Sequence, residues 1–235
     1  MLKKLFLLIY GIVFTFLPSP ATEPEIYLLD VKDFSELQVV DNLNVIHRCN
    51  PDSAGYATFT CTPDLATSVI FSNNKNKLKI QKNTDLTLND LTFPTITVYS
   101  NYLVSVENSG DSTVIIDSPA AGALFKARII GNGKLLAYNI HATQTEGNLD
   151  TGKGYMYLEG NTRLAKLKNI GTGIIRADKL NAKLGSVTIL GTGAVYCKVE
   201  EDVTVKGMGS GKVYVTGNPT IKKRSIGNIE VINEK

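Results

Sequence analysis

Five regularly spaced Gly-x-Gly pairs, three cysteines and two histidines are the residues of this 235-residue sequence whose types and spacing could do chemistry. A glycine pair cradles phosphate when it opens a helix whose N-terminus faces the anion, with a Lys or Ser/Thr placed after it. Here the pairs Gly131/Gly133, Gly152/Gly154, Gly171/Gly173, Gly191/Gly193 and Gly209/Gly211 each open an alternating apolar segment. All ten read as structural turn glycines. Cys197, in "GTGAVYC", shares its repeat position with Ala137, Leu158, Ala177 and Val215. A small buried hydrophobe suits that place, and a free cysteine packs as one. His47 and His141 lie far apart with no clustered acid or cysteine, and both are expected on the surface. No metal site, cofactor or hydrolytic triad is expected.

Cys49 and Cys61 bracket "NPDSAGY". In an oxidising compartment they would form a disulfide contributing about 3 kcal/mol by the chain-entropy estimate, the alternative being two reduced thiols. The acids near the turns, Asp111, Asp117, Glu146, Asp150, Glu159 and Asp178, read as not recurring at one repeat position. A glycosidase needs two carboxyls gathered across its substrate, so no catalytic residue is expected.

The elements that hold these residues follow from the repeat. Successive glycine pairs start 21, 19, 20 and 18 residues apart, and weaker copies stand at Gly110 ("GDS") and Ser225 ("SIG"). Four residues on come Val114, Leu135, Met156, Ile175, Val195, Val213 and Ile229; six on come Ile116, Ala137, Leu158, Ala177, Cys197, Val215 and Val231. Between them stand Ile115, Leu136, Tyr157, Arg176, Tyr196, Tyr214 and Glu230. Period two means strands with one face inward. A short strand recurring about every 20 residues behind a glycine turn predicts an all-β solenoid, equivalent residues stacking about 4.8 Å apart. A β-sandwich is the competing all-β architecture. It accounts for the turns but not for two apolar columns in strict register.

Three segments flank the repeat. Lys3 and Lys4, the apolar run Leu5–Leu17 and small residues at Ser19 and Ala21 predict a cleavable signal peptide over 1–21. The run is shorter than the roughly 20 residues of a spanning helix. The exported part, 22–235, reads as one β domain: an N-terminal β-rich section over 26–92, then solenoid coils over 93–235. "CTPDLATSVIF" suits a short helix covering the first coil, and "GNPTIKKRSIG" a closing loop whose cations are solvated. The formal charge of +3 falls to +1 without Lys3 and Lys4, which gives no reason to expect nucleic acid as a partner.

"GTGAVYCKVEEDVTVKGMGSGKVYVTGNPTIKKRSIGNIEV", preceded by "VKDFSELQVVDNLNVIHR", resembles the putative auto-transporter adhesin family with the head GIN domain, common in Bacteroidota. The resemblance implies a right-handed β-helix-like fold, export, and a role in the periplasm, at the outer-membrane surface or outside the cell. It implies no reaction. The loop "CNPDSAGYATFTC" has no counterpart carried over from the family.

The expected function is therefore that of a non-catalytic, adhesin-like binding or structural module. Its candidate ligand site is the outward ladder Tyr157, Arg176, Tyr196 and Tyr214, which could stack against a glycan or an extended peptide. The structural alternative is that stacked side chains only stabilise the sheet. The functional alternative is a polysaccharide-active enzyme, a lyase or hydrolase, on the same scaffold. Partners considered are a glycan, an envelope protein, or a second copy meeting an open solenoid end.

Overall fold

The computed structural model describes residues 23–83 and 92–234, so the expected signal peptide lies outside the described residues. Among the described residues seventeen strands form one continuous hydrogen-bonded sheet wound into a solenoid. The first seven are β1 (Glu25–Asp30), β2 (Glu36–Val39), β3 (Val45–Cys49), β4 (Tyr56–Cys61), β5 (Val69–Asn74), β6 (Lys77–Lys82) and β7 (Ile96–Ser100). Then come β8 (Ser105–Asn108), β9 (Thr113–Ile116), β10 (Ala121–Ile130), β11 (Lys134–Asp150), β12 (Tyr155–Gly171), β13 (Ile174–Gly191) and β14 (Ala194–Gly209). The last are β15 (Lys212–Thr216), β16 (Thr220–Gly227) and β17 (Glu230–Glu234). Helix α1 is the single turn Pro63–Ala66. The expected short helix is there, and its Leu65 and Ala66 pack on the core.

Parallel pairing carries one coil onto the next. β11, β12, β13 and β14 pair in parallel over most of their lengths, so each residue stands above its equivalent about 20 residues away. The two apolar columns point inward: from Val114 to Val213 and from Ile116 to Val215 every member is at most 2% exposed. Cys197 takes its expected place there, and burial pushes its thiol up to about 12.

The glycine corner explains the motif. Gly191 has φ +126°, and a Cβ there would stand 2.5 Å from the Gly171 carbonyl oxygen. That same oxygen accepts the N–H groups of Thr192 and Gly193. Backbones therefore touch from coil to coil at the corner, where no side chain fits. Two buried asparagines brace it. Asn169 Nδ2 donates to Gly173 O (2.8 Å) and Ala194 O (3.1 Å), and Asn108 Nδ2 donates to Ser112 O and Lys134 O.

The two glycines of each pair have different tasks at the corner. The first members, Gly131, Gly152, Gly171, Gly191 and Gly209, hold the positive φ of the turn. The second members, Gly133, Gly154, Gly173, Gly193 and Gly211, do not have positive φ; they are buried residues immediately ahead of a strand. Lack of space excludes a side chain from them. A Cβ on Gly133 would collide with the Gly110 carbonyl oxygen, and one on Gly154 would stand 2.9 Å from Ile129 Cγ2. Sequence spacing alone does not separate a glycine needed for its φ from one needed for its size.

The last repeat copy also differs from the sequence reading. Gly209 pairs with Gly227, so the copy begins at Gly227 and not at Ser225. Val231, not Ile229, then stands above Val213, and Ile232, not Glu230, above Tyr214. The register was lost because Ile229 fills the place of the second glycine and hides the motif. The basic run is likewise strand β16 paired in parallel with β14, not a closing loop.

The N-terminal segment stacks out of chain order. β2 lies between β6 and β8, and β3 between β7 and β9, all in parallel. Parallel stacking thus reaches well into the 26–92 section. Beyond this coil the strands turn antiparallel: β5 on β6, β4 on β7, and β1 on β4.

Cys49 and Cys61 are free thiols, not the expected disulfide. β3 and β4 flank β7 on opposite sides, Cys49 opposite Ser100 and Ala57 opposite Val98, and Cys61 runs on to the far end of β4. Burial raises the Cys49 thiol to about 11. His47 is not a surface residue: it is fully buried, in register with Ile116 and Val98. The alternation of β3 places it inward two residues after Val45. His141 is exposed, as expected, with Nδ1 donating to Asn139 O (2.9 Å).

Candidate functional site

The outward column between the two core columns forms the site. Register aligns Ile46, Ile115, Leu136, Tyr157, Arg176, Tyr196, Tyr214 and Ile232 on neighbouring strands. At about 4.8 Å per strand the stripe runs roughly 34 Å along the solenoid. All eight side chains are half-buried. The four ladder residues are brought together, and the stripe is twice the length of the ladder.

Its centre is internally satisfied. The Arg176 guanidinium lies 4.3 Å over the Tyr196 ring, and the Tyr196 and Tyr214 rings stack with centroids 4.4 Å apart and planes 3° apart. Arg176 also grips Asp178 with two bonds, Nε to Oδ1 at 2.8 Å and an Nη to Oδ2 at 3.0 Å. That fork holds the Asp178 carboxyl below its ordinary range, against the opposing effect of its partial burial. Tyr157 donates its hydroxyl to Glu159 (2.8 Å), and its own ionisation is pushed up to about 12, first by desolvation and then by that bond. Both faces of the Tyr196 ring are spent, one on Arg176 and one on Tyr214, and Tyr214 gives one face to Tyr196. Flat stacking of a ligand on those faces is therefore blocked, and over most of the ladder ring edges and phenol groups are what is offered.

Seven residues after the glycine-motif starts stand Asp117, Tyr138, Glu159, Asp178, Lys198 and Thr216. Three of these are acids, but the register shift after Tyr157 sets Glu159 opposite Lys179 and not Asp178, so the acids do not stack in one column. They flank the stripe, each engaged by a neighbour: Asp117 by Arg48 (3.7 Å), Glu159 by Tyr157 and Asp178 by Arg176. Asp111 lies at the corner, while Glu146 and Asp150 lie on the coil's other strand face, paired with Lys126, Lys166, Arg128 and Lys168.

Ser100 and His47 have the outline of a nucleophile and base, with Nε2 2.8 Å from Oγ. The Ser100 hydroxyl, however, donates to Tyr102 O (3.0 Å), so Nε2 carries the ring proton and donates to Oγ. Both side chains are closed to solvent. Among the described residues no group of three or more His, Cys, Asp or Glu could hold a metal ion.

Sequence reasoning missed Ile46 and Ile232. Ile46 stands in a coil with no glycine motif to align, and Ile232 was displaced by the shifted last copy.

The profile of the putative auto-transporter adhesin, head GIN domain family matches residues 33–219. The chain belongs to that family. None of the curated proteins matches it. Among solved structures the head GIN domain chain is similar to a putative adhesin from Bacteroides fragilis, at 18% identity and TM-score 0.78, over 91% of this chain and 99% of that one. Putative adhesins from Parabacteroides distasonis and Parabacteroides merdae, each 18% identical, give TM-scores of 0.73 and 0.68. They cover 90% and 91% of this chain, and each match takes in 97% of the other chain. At such identities the likeness establishes the head GIN domain fold alone. No helix among the described residues is long and apolar enough to cross a membrane.

Proposed function

We propose that this protein is an exported, non-catalytic binding module of the bacterial envelope or cell surface, and that its outward stripe holds an extended, uncharged saccharide. The observation that carries the reading is the unbroken column from Ile46 to Ile232. Saccharide C–H faces would lie on Ile46, Ile115 and Leu136, and saccharide hydroxyls would meet the phenol edges. Arg176 is neutralised by Asp178, so the centre of the stripe presents no free cation for an acidic sugar. The Lys3/Lys4-led apolar leader and the family's adhesin description support export.

The double variant Tyr196→Phe/Tyr214→Phe keeps the ring stack and removes the hydroxyls. On a glycan array it is expected to lose at least about tenfold in affinity with an unchanged melting temperature, a loss of roughly 1.4 kcal/mol. Tyr196→Ala/Tyr214→Ala should lose more. Unchanged binding in both removes the stripe from recognition and leaves it a sheet-stabilising ladder.

The acids beside the stripe, Asp117, Glu159 and Asp178, give the enzyme alternative its one supporting observation. A general acid needs a carboxyl held protonated near neutral pH, whereas Asp178 is pulled the other way. A glycan depolymerisation screen is expected to show no turnover. Turnover lost in Asp178→Asn or Glu159→Gln would replace the binding reading with a catalytic one.

A further inference from the structure

Among the described residues, four aliphatic or methionine side chains are more than half exposed: Ile26 (79%), Leu28 (67%), Met208 (56%) and Ile226 (75%). All four sit at the two ends of the solenoid. Ile26 and Leu28 lie on β1, which pairs only with β4. Ile226 lies on β16, which pairs only with β14, and Met208 stands beside it in register. Among the described residues each end therefore presents a strand edge with no partner strand, with two exposed apolar side chains on or beside it, a surface that proteins ordinarily cover or charge.

The charges of these edges are opposite. Residues 23–30 carry Glu23, Glu25 and Asp30 and no cation; residues 220–227 carry Lys222, Lys223 and Arg224 and no acid. Arg224 has no ion-pair partner among the described residues, while Lys222 reaches Asp202 at 3.4 Å and Lys223 donates to Ile229 O. Leu190, Met208, Ile226, Lys206 and Arg224 line a depression of about 550 Å³ beside β16. The second edge at each end repeats the pattern with the signs exchanged. Exposed Glu234 ends β17, with Glu230 on the same strand held by Lys212 (3.0 Å). At the other end Lys75 lies in the turn between β5 and β6, followed by Lys77.

We infer that copies of this chain associate head to tail, β1 of one copy meeting β16 of the next, and β17 meeting the β5–β6 turn. β1 and β17 end one column of strands, β5 and β16 the other, so successive copies are turned about the solenoid axis, and that one arrangement satisfies both sign patterns. The contact is heterologous, so each added copy leaves the same two ends free and the assembly grows as a linear array. The ligand stripe reaches the β17 edge at Ile232, but the four charged residues changed in the test below, Glu25, Asp30, Lys222 and Arg224, are not part of it.

Sedimentation velocity of the full chain, produced through an exporting bacterial host, tests it. The expected result is a weight-average mass that rises with concentration and falls, without vanishing, as salt screens the charges. Lys222→Glu/Arg224→Glu and Glu25→Lys/Asp30→Lys should each remain monomeric at concentrations where the wild type associates. An equal mixture of the two variants should recover association, because each supplies the edge the other lacks. A wild type that stays monomeric up to its solubility limit overturns the inference. So does a mixture that fails to associate when each variant melts like the wild type.

Discussion

Replacing Gly191 with alanine will destabilise the protein by several kcal/mol, whereas the same change at Gly131 will cost only about 1–3 kcal/mol. Both glycines occupy the left-handed side of backbone space, at φ +126° and +108°. An alanine pays a conformational penalty at either. The surroundings differ. At Gly131 an added Cβ meets nothing within 4 Å, while at Gly191 it falls 2.5 Å from the Gly171 carbonyl oxygen, itself bonded to Thr192 and Gly193. To admit a methyl group the two coils must part at the corner and lengthen those bonds. Gly131→Ala thus measures the backbone penalty alone, and the difference between the variants measures the close approach. In a protein this size each kcal/mol lowers the melting temperature by about 2–4 °C, so thermal melts resolve the two. Equal losses would show that the column exists for its φ values and not for contact between coils.

The second large effect is on acid stability. Burial lowers the His47 pKa from 6.5 to about 4, against the opposing charge of Asp33. The folded state keeps the ring neutral; the unfolded chain takes up a proton below pH 6.5. The stabilisation is therefore complete above about pH 6.5 and lost as the pH falls toward 4, to the extent of about 3 kcal/mol. The structural cause is the buried Nδ1, which has no hydrogen-bond partner, while Nε2 is committed to Ser100. In His47→Gln this loss should be absent. Urea unfolding at pH 7, 5.5 and 4 should show the wild type's advantage over the variant shrinking with each step. A constant difference would mean that His47 does not titrate in this range.

The solenoid was legible wherever the repeat was intact. From Gly131 to Gly211 glycine spacing and period-two alternation placed every corner and the two core columns, because stacking imposes the same chemistry on each coil. The division of labour within a pair was not legible: Gly133 and Gly154 look like Gly131 and Gly152 in sequence, yet only the latter two turn the chain. Reading weakened where one coil replaces the motif. Ile229 in the place of a glycine moved the last copy by two residues and put Glu230 where Ile232 belongs. His47 was misplaced because polarity was weighed above the alternation of β3, which alone decides which way the side chain points. Counting seven from each motif lines up Asp117, Glu159 and Asp178 in sequence, yet the register shift after Tyr157 sets Glu159 opposite Lys179, so counting does not give their place in the stack. What counting could not give is mutual satisfaction. That Arg176 is consumed by Asp178 and Tyr196, and that both faces of Tyr196 are covered, follows from side-chain geometry alone.

The coil formed by β2 and β3 has a consequence for how the chain reaches its fold. Each coil from β8–β9 onward can settle on one already made, so the C-terminal part, somewhat over half of the chain, can grow in the order in which it is made. β2 and β3 are made before both of their neighbours. They can pair with β6 and β7 on one side first, but their other side stays open until β8 and β9 follow, about 70 residues later in sequence. The intact repeats can add one by one, whereas the N-terminal coil is closed in by strands from both directions. Its parallel stack is therefore complete only when residue 116 has been made.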